Sequence, residues 1–244
     1  ANMTQDERMN ILYGKIWRNK AVVDTYEPGS TFKAITAAAA IEEGIVTPDT
    51  PVNDYPVTVQ GHKINCWRSY NLHGEETFRE GVYNSCNPVF VRAAQAMGIS
   101  TFYKYVKAFG FRDKTGVEIV GEAGSIFHEK PTEVDMATAS FGQRFQITPL
   151  QLINAYGALA NGGNLMKPLI VKEIRDSEGN IVKKYEPKLL ERLFPKKLQK
   201  RSGTFWKGLY LQVRVRTHIS ADTELPVKPV PRKPPRRKRT TGIS

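Results

Sequence analysis

The chain has 244 residues, of which 40% are hydrophobic and 10% aromatic, enough apolar side chain for a buried core. Its formal net charge of +12 comes from residues 195–244, which hold 14 of the 36 basic but only 2 of the 24 acidic residues, so residues 1–194 are neutral. The body of the chain therefore gives no electrostatic reason to expect a nucleic-acid partner. The longest nearly apolar run, residues 34–41, is far shorter than the ~20 residues of a membrane-spanning helix.

Residues that commonly begin or end helices, together with the spacing of apolar residues, predict a mainly helical chain. After the breaker pair Pro28-Gly29, an alanine-rich run predicts a buried helix over residues 30–43, because helices commonly begin at Ser or Thr and end before Gly. Residues 45–75 are interrupted by prolines and glycines and predict loops. The later elements are helices over residues 77–85, 88–97, 101–109, 133–139 and 149–160, then paired strands over residues 167–175 and 180–185.

The composition changes after residue 198. Six prolines between residues 195 and 244 prevent a regular sheet, and the segment shows no helical period. We interpret residues 199–244 as a basic, proline-rich tail that is disordered and not native to the fold. A nucleic-acid-binding arm would need aromatic residues among the basic ones, and from residue 213 onward there are none, so we expect no nucleic-acid partner.

The cysteines and histidines give no sign of a cofactor. Cys66 and Cys86 allow one disulfide bond or none, and the sequence leaves this open. The four histidines show no metal-ligand spacing with each other or with the cysteines. We therefore expect no metal and no other cofactor.

The segment from Ser30 to Lys33 carries the first candidate chemistry. Its Ser-x-x-Lys spacing puts a hydroxyl and an amine on one face at the start of a helix. A serine becomes a good nucleophile when a nearby base takes its proton, and a desolvated lysine can be that base. The N-terminus of the helix also offers free N–H groups to a developing oxyanion.

The triplet Ser85-Cys86-Asn87 is the second candidate. It places a hydroxyl suited to proton relay beside an amide suited to holding a substrate, although a helix-junction cap is the better explanation of such a triplet taken alone. Together with the Ser-x-x-Lys segment it resembles the transpeptidase domain of class B penicillin-binding proteins, serine acyltransferases that cross-link peptidoglycan. The resemblance covers about residues 14–195 and extends to Trp17-Arg18-Asn19-Lys20-Ala21, Glu80-Gly81, Asn87-Pro88-Val89-Phe90, Phe109-Gly110-Phe111, Phe141-Gly142-Gln143 and Ile147-Thr148-Pro149-Leu150-Gln151.

The resemblance implies roles for four residues. Ser30 would attack the carbonyl between the last two D-alanines of a stem peptide, and Lys33 would accept its proton, although the acylation base is disputed among related enzymes. Ser85 would relay the proton to the leaving amine, and Asn87 would bind the substrate backbone. Peptidoglycan stem peptides ending in D-Ala-D-Ala and the β-lactams that mimic them are the implied partners. We assign Cys86 to packing.

The family also needs a Lys-Thr/Ser-Gly motif on an edge strand. Lys114-Thr115-Gly116 follows Phe109-Gly110-Phe111, a context that belongs to a distant surface turn in the family, so we interpret it as structural. Codons from Gln212 onward, read one nucleotide out of phase, permit Gly-Thr-Gly-Lys-Asn-Ala-Tyr-Ile and, after one further position at Ser220-Ala221, Gly-Tyr-Arg-Val-Ala-Gly-Lys-Thr-Gly-Thr-Ala-Gln, which resembles the family's third-motif segment. The Lys-Thr-Gly would lie in the codons of residues 227–230, and we infer a frameshift near residues 198–200.

The implied fold is α+β and incomplete. We expect residues 1–198 to form a partial transpeptidase domain, mostly the helical lobe of the penicillin-binding and serine β-lactamase-like fold, with most of the central antiparallel sheet missing. Activity should then be low or absent, because the strand that aligns substrate is lost. The resemblance also implies a parent that is anchored in the cell membrane, faces outward and belongs to a cell-wall complex.

Two alternatives remain open at this stage. One is a serine β-lactamase of the class that also carries Ser-Thr-Phe-Lys, against which the polar third residue of the second motif, Asn87, argues. The other is a non-catalytic domain that senses β-lactams.

Overall fold

The computed structural model describes residues 3–194, with only the backbone of Lys15. The chain begins with α1 (Gln5–Ile11), where the side chain of Thr4 accepts a hydrogen bond from Glu7 N–H and Glu7 reciprocates. A π-helical turn and the short α2 (Lys20–Val23) follow. No helix was predicted here from the sequence, although Thr4 and Glu7 have the spacing of a helix-starting capping box.

The centre of the fold is α3 (Lys33–Glu42), which a 3₁₀ turn (Gly29–Phe32) precedes. The predicted helix over residues 30–43 is therefore confirmed, with a tighter first turn. Four consecutive alanines, residues 37–40, are buried, and their small side chains let α3 pack closely against α5 (Asn87–Ala108). Helix α5 joins the two predicted helices, and Gly98 with φ +77° marks the break between them.

Three shorter helices agree with the sequence prediction. Helix α4 (Phe78–Tyr83) begins after the capping residue Thr77. Helices α6 (Glu133–Ala139) and α7 (Pro149–Ala160) have the predicted bounds, because Thr132 and Thr148 each form a capping box at their starts.

The strands pair only in twos within residues 3–194, so the expected lack of a central sheet is confirmed for the described residues. All four pairs are antiparallel: β1 (Pro51–Asn53) with β4 (Glu75–Thr77), β2 (Val57–Val59) with β3 (His62–Ile64), β5 (Asn164–Met166) with β8 (Leu189–Arg192), and β6 (Glu173–Arg175) with β7 (Ile181–Lys184). The first two pairs lie in the segment predicted as loops.

The predicted strand over residues 167–175 is wrong in its first six residues. The strand itself is β6 (Glu173–Arg175), and residues 167–172 form no strand. The apolar run from Leu169 to Val171 suggested a strand, but Pro168 cannot donate to a ladder and the three apolar side chains are exposed. Strand β8 instead pairs antiparallel with β5. This pairing was not predicted from the sequence.

The described residues thus form an α+β fold whose main hydrophobic core surrounds α3. No helix within residues 3–194 has the length and apolar character that crossing a membrane requires. The tail at residues 199–244 and the shifted codons at residues 227–230 lie outside the described residues.

Candidate active site

The turn that carries Ser30 is fixed on both sides by backbone contacts. Just before it, Tyr26 and Ile147 form an antiparallel bridge. Gly29 N–H then donates to Gly142 O over 2.8 Å. A Cβ atom at Gly142 would overlap the carbonyl group of Gly29, and Gly142 has φ +87°, so only glycine allows this approach. The Phe141-Gly142-Gln143 segment therefore supports the position of Ser30.

Contacts of two side chains also hold this turn in place. Phe32 is fully buried, with its ring centroid 5.2 Å from that of Phe111 and 4.8 Å from that of Phe145. The hydroxyl of Tyr156, on α7, donates to Thr31 O over 2.6 Å. With the Gly29 contact, the turn is thus anchored at three of its four residues, which limits the positions that its exposed serine can take.

Ser30 and Lys33 lie one helical turn apart, because Lys33 N–H donates to Ser30 O. Ser30 is exposed, whereas the side chain of Lys33 is buried, with 4% of the residue exposed. A buried lysine needs polar partners, since an ammonium without them is costly in an apolar interior.

The second motif supplies those partners. Lys33 Nζ donates to Ser85 O over 2.7 Å, to Ser85 Oγ over 2.9 Å and to Asn87 Oδ1 over 2.6 Å. It also lies 5.2 Å from the ring centroid of Phe90, which the Asn87-Pro88-Val89-Phe90 segment places on the first turn of α5. The structure therefore brings together Lys33, Ser85 and Asn87, and it places Ser30 one turn from this cluster.

The backbone of Ser85 is strained. Its φ is +55°, in the left-handed region that residues with a Cβ seldom occupy. Ser85 connects the end of α4 to Cys86, which caps α5, and this sharp connection turns both the carbonyl and the hydroxyl of Ser85 toward Lys33. Such strain is often found at functional sites, where surrounding contacts maintain it.

Burial changes the proton affinity of Lys33. It lowers the pKa of Lys33 to about 8, against the smaller, opposing effects of Cys86 and Cys66. An amine with this pKa is substantially neutral at mildly alkaline pH and can accept a proton from a nearby hydroxyl. The arrangement can therefore support nucleophilic chemistry at a serine.

Lys114-Thr115-Gly116 forms a local turn. Glu122 Oε1 accepts from both the backbone N–H and the hydroxyl of Thr115 over 2.6 Å, and Glu122 Oε2 accepts from Gly116 N–H over 3.0 Å. The carboxylate of Glu122 thus binds the polar groups of Thr115 and Gly116 within this turn, in agreement with the structural interpretation.

Sequence reasoning missed one cluster beside the second motif. Asp54, Cys66, His73 and Cys86 offer ligand atoms that all lie within 4.8 Å of one another, and such a group could hold a metal ion. Both cysteines are buried and free. Since the four residues come from separate segments, their spacing along the chain carries no recognisable metal-binding pattern.

Comparison with known proteins decides the family. The model of the penicillin binding protein transpeptidase domain family matches residues 2–213. The chain belongs to this family. Stage V sporulation protein D of Bacillus subtilis is 43% identical over 175 residues, which cover 70% of the chain and 27% of that protein. The peptidoglycan D,D-transpeptidase FtsI of Escherichia coli is 30% identical over 159 residues, which cover 64% of the chain and 26% of FtsI.

Solved structures show the same fold. Penicillin binding protein 2X from Streptococcus thermophilus has 26% sequence identity and a TM-score of 0.71, with 81% of this chain and 28% of that chain covered. Penicillin binding protein 3 from Mycobacterium, solved with aztreonam, has 24% identity and a TM-score of 0.69, with 78% of this chain and 42% of that chain covered. At this level of identity, the similarity shows only that the fold is shared. The resemblance to class B transpeptidase domains is confirmed, and the chain spans about a quarter of the length of these curated relatives.

Proposed function

We propose that this transpeptidase domain forms a serine acyl-enzyme on peptidoglycan stem peptides that end in D-Ala-D-Ala. Ser30 Oγ would attack the carbonyl between the two D-alanines and expel the terminal D-alanine as an amine. The acyl group would then pass to an amine on a neighbouring strand, which releases Ser30. The observation that carries this proposal is the set of three hydrogen bonds from Lys33 Nζ to Ser85 and Asn87, because it joins the two motifs into one buried polar cluster.

Each residue of the cluster has a distinct role in this proposal. Lys33, whose pKa burial lowers to about 8, takes the proton of Ser30 as the new C–O bond forms. Ser85 passes a proton to the leaving amine, and Asn87 binds the amide backbone of the stem peptide. β-Lactams would acylate Ser30 by the same attack, with opening of the lactam ring in place of amine release.

We also propose that acylation in this chain is slow. The Lys-Thr-Gly triplet occurs once in the sequence, at residues 114–116, where it forms the turn around Glu122, and no Lys-Ser-Gly occurs. A strand with the third motif would normally align the substrate and help to bind the oxyanion. Loss of one oxyanion donor costs roughly 10²–10³ in rate, and loss of alignment adds to this.

The proposal extends to the parent protein. By its family, the parent would act at the outer face of the cell membrane, within a complex that synthesises cell wall. Sporulation is the setting that the name of one relative, stage V sporulation protein D, suggests.

Labelling with a fluorescent penicillin tests the acylation. The full chain and a Ser30→Ala variant are incubated with the reagent for minutes to hours, and the adduct is mapped by mass spectrometry of the peptide that contains residue 30. We expect one adduct on Ser30, formed at a rate at least roughly 10²-fold below that of a complete transpeptidase domain measured alongside.

Each outcome of this test is decisive. Equal labelling of the Ser30→Ala variant, or no adduct after hours, would overturn the role of Ser30. Stoichiometric labelling within the time of the complete domain would overturn the claim of slow acylation. Turnover of nitrocefin by the wild-type chain, lost in Ser30→Ala, would replace the transpeptidase proposal with a β-lactamase.

A further inference from the structure

We propose that Asp54, Cys66, His73 and Cys86 bind one Zn²⁺ ion at a closed, tetrahedral site beside the second motif. The proposal departs from the expectation of no metal, and it does not depend on acylation at Ser30. The four residues lie next to the ends of secondary-structure elements: Asp54 follows β1, Cys66 follows β3, His73 precedes β4, and Cys86 immediately precedes α5.

The distances between the ligand atoms match those of a zinc site. Zinc bonds of about 2.3 Å to sulfur and about 2.0–2.2 Å to nitrogen or oxygen, at tetrahedral angles, separate S and S by about 3.8 Å, S and N by about 3.6 Å, and N and O by about 3.4 Å. Cys66 Sγ and Cys86 Sγ are 3.5 Å apart. His73 Nδ1 lies 3.3 Å from Cys86 Sγ, 3.8 Å from Cys66 Sγ and 3.0 Å from Asp54 Oδ2. These four separations agree within about 0.4 Å, and all the ligand atoms lie within 4.8 Å of one another.

A disulfide bond does not explain this arrangement. Bonded sulfur atoms are about 2.05 Å apart, whereas these two are at van der Waals separation. The two sulfur atoms also share a third neighbour, His73 Nδ1, and the ligand atoms of all four residues lie within 4.8 Å of one another. A single ion among these atoms would contact every member of the cluster.

The carboxylate of Asp54 is already oriented. The residue is fully buried, Oδ2 accepts from His73 N–H over 2.9 Å, and Oδ1 accepts from Gly74 N–H over 3.1 Å. Backbone donors of this kind hold a ligating carboxylate in place around metal sites. The same loop, residues 73–74, therefore supplies one ligand and fixes another.

The ligand set selects the metal. Two thiolates and one imidazole favour zinc over calcium or magnesium, which prefer oxygen ligands. Two thiolates and a carboxylate also supply the negative charge that compensates the charge of the ion. Protonated thiols would not supply it. Because the protein fills all four positions, the ion has a structural role and no open position for substrate.

The surrounding segment gives the ion a structural task. Between residues 51 and 77 the buried hydrophobic residues are Val59 and Cys66, so the two strand pairs of this segment have little core of their own. Small units of this kind are often stabilised by a metal. One ion would join the segment to Cys86, whose neighbours Ser85 and Asn87 hold Lys33. The zinc would thus keep the second motif in position.

Metal analysis of the purified chain tests the site directly. The full chain is purified with a non-chelating reductant and without added metal, and its metals are measured by mass spectrometry with inductively coupled plasma. We expect about one zinc per chain, and an absorption spectrum typical of tetrahedral cobalt–thiolate coordination after exchange with Co²⁺. Cys86→Ser and His73→Ala should lose the metal, whereas His62→Ala and Asp49→Asn, changes at exposed residues, should retain it.

Limited proteolysis provides a second measurement on the unaltered sequence. Lys63 is exposed and lies between the ligands Asp54 and Cys66 in the sequence. After a chelator has removed the zinc, trypsin should cleave the chain at Lys63 at least several-fold faster. Cleavage after Lys183, exposed in the β6–β7 hairpin, should not change. Three results would each overturn the proposal. The purified protein could contain no zinc and have free thiols, or it could contain no zinc and have a Cys66–Cys86 disulfide bond. The third result is that all four variants retain zinc equally.

Discussion

Lys33 Nζ donates a 2.6 Å hydrogen bond to Asn87 Oδ1 across 54 positions of the chain. This bond connects the first turn of α3 to the first turn of α5, the two helices that pack together in the core. The site therefore depends on the core: any change that shifts α3 against α5 also separates the lysine from the second motif.

Replacement of Lys33 should reduce acylation much more than it reduces stability. Lys33→Met keeps most of the apolar stem but removes the amine that accepts the Ser30 proton. We expect labelling by fluorescent penicillin to slow roughly 10²–10⁴-fold, the usual contribution of a general base. Lys104→Met, at an exposed position on α5, serves as the control. Equal rates for wild type and Lys33→Met would contradict the role of the lysine.

The stability of the chain should rise with pH in a way that depends on Lys33. Burial lowers the folded-state pKa of this lysine from 10.5 to about 8, so between these values the unfolded chain binds more protons than the folded one. The free energy of unfolding then increases with pH in this window, by about 1.5 kcal/mol between pH 8 and pH 9.5 from this group alone. Urea titrations of wild type and Lys33→Met isolate that contribution, and parallel pH profiles would refute it.

Gly142 should not tolerate a side chain. Alanine there combines a φ of +87° with an overlap against the carbonyl group of Gly29, whereas Gly179 has φ +90° and open space around its Cβ position. Gly179→Ala should cost about 1–2 kcal/mol of unfolding free energy from the backbone alone. Gly142→Ala should cost clearly more and should also displace the turn of Ser30. Thermal unfolding of the two variants measures the difference, and equal costs would show that the close approach is unimportant.

Loss of the Tyr156 hydroxyl should affect the position of Ser30. Tyr156→Phe removes the donor to Thr31 O, with an expected loss of about 1 kcal/mol and slower labelling. Tyr105→Phe removes a comparable bond to Glu43 at the opposite end of α3 and provides a control for stability. Similar losses of stability with slower labelling only in Tyr156→Phe would separate positioning from folding. Slower labelling in both would indicate a general effect of destabilisation.

The gene itself should reveal the origin of the basic tail. We expect its nucleotide sequence to encode, one nucleotide out of phase, Lys-Thr-Gly across the codons of residues 227–230, which lie outside the described residues. A single insertion or deletion near residues 198–200 would then restore the family's third motif. Codons that encode no such triplet in the shifted frame would contradict the frameshift.

Local signals explain which elements were predictable. Helices α6 and α7 have the predicted bounds because Thr132 and Thr148 cap them within one turn of sequence. The pairing of β5 with β8 was missed, since it joins segments more than twenty residues apart through contacts that no local pattern specifies. The strand over residues 167–175 was overestimated because its apolar run has strand-like composition, although Pro168 cannot donate to a ladder and the side chains from Leu169 to Val171 are exposed.

The sequence by itself determined the family, the α+β class and the two motifs that contain Ser30, Lys33, Ser85 and Asn87, because short spacings along helices and turns encode these features. Only the tertiary structure decided that Lys33 is buried against Ser85 and Asn87, that Gly142 contacts Gly29, and that the ligand atoms of Asp54, Cys66, His73 and Cys86 lie within 4.8 Å of one another. These contacts join residues from separate elements, and packing of the core, rather than any pattern along the chain, sets the distances between them.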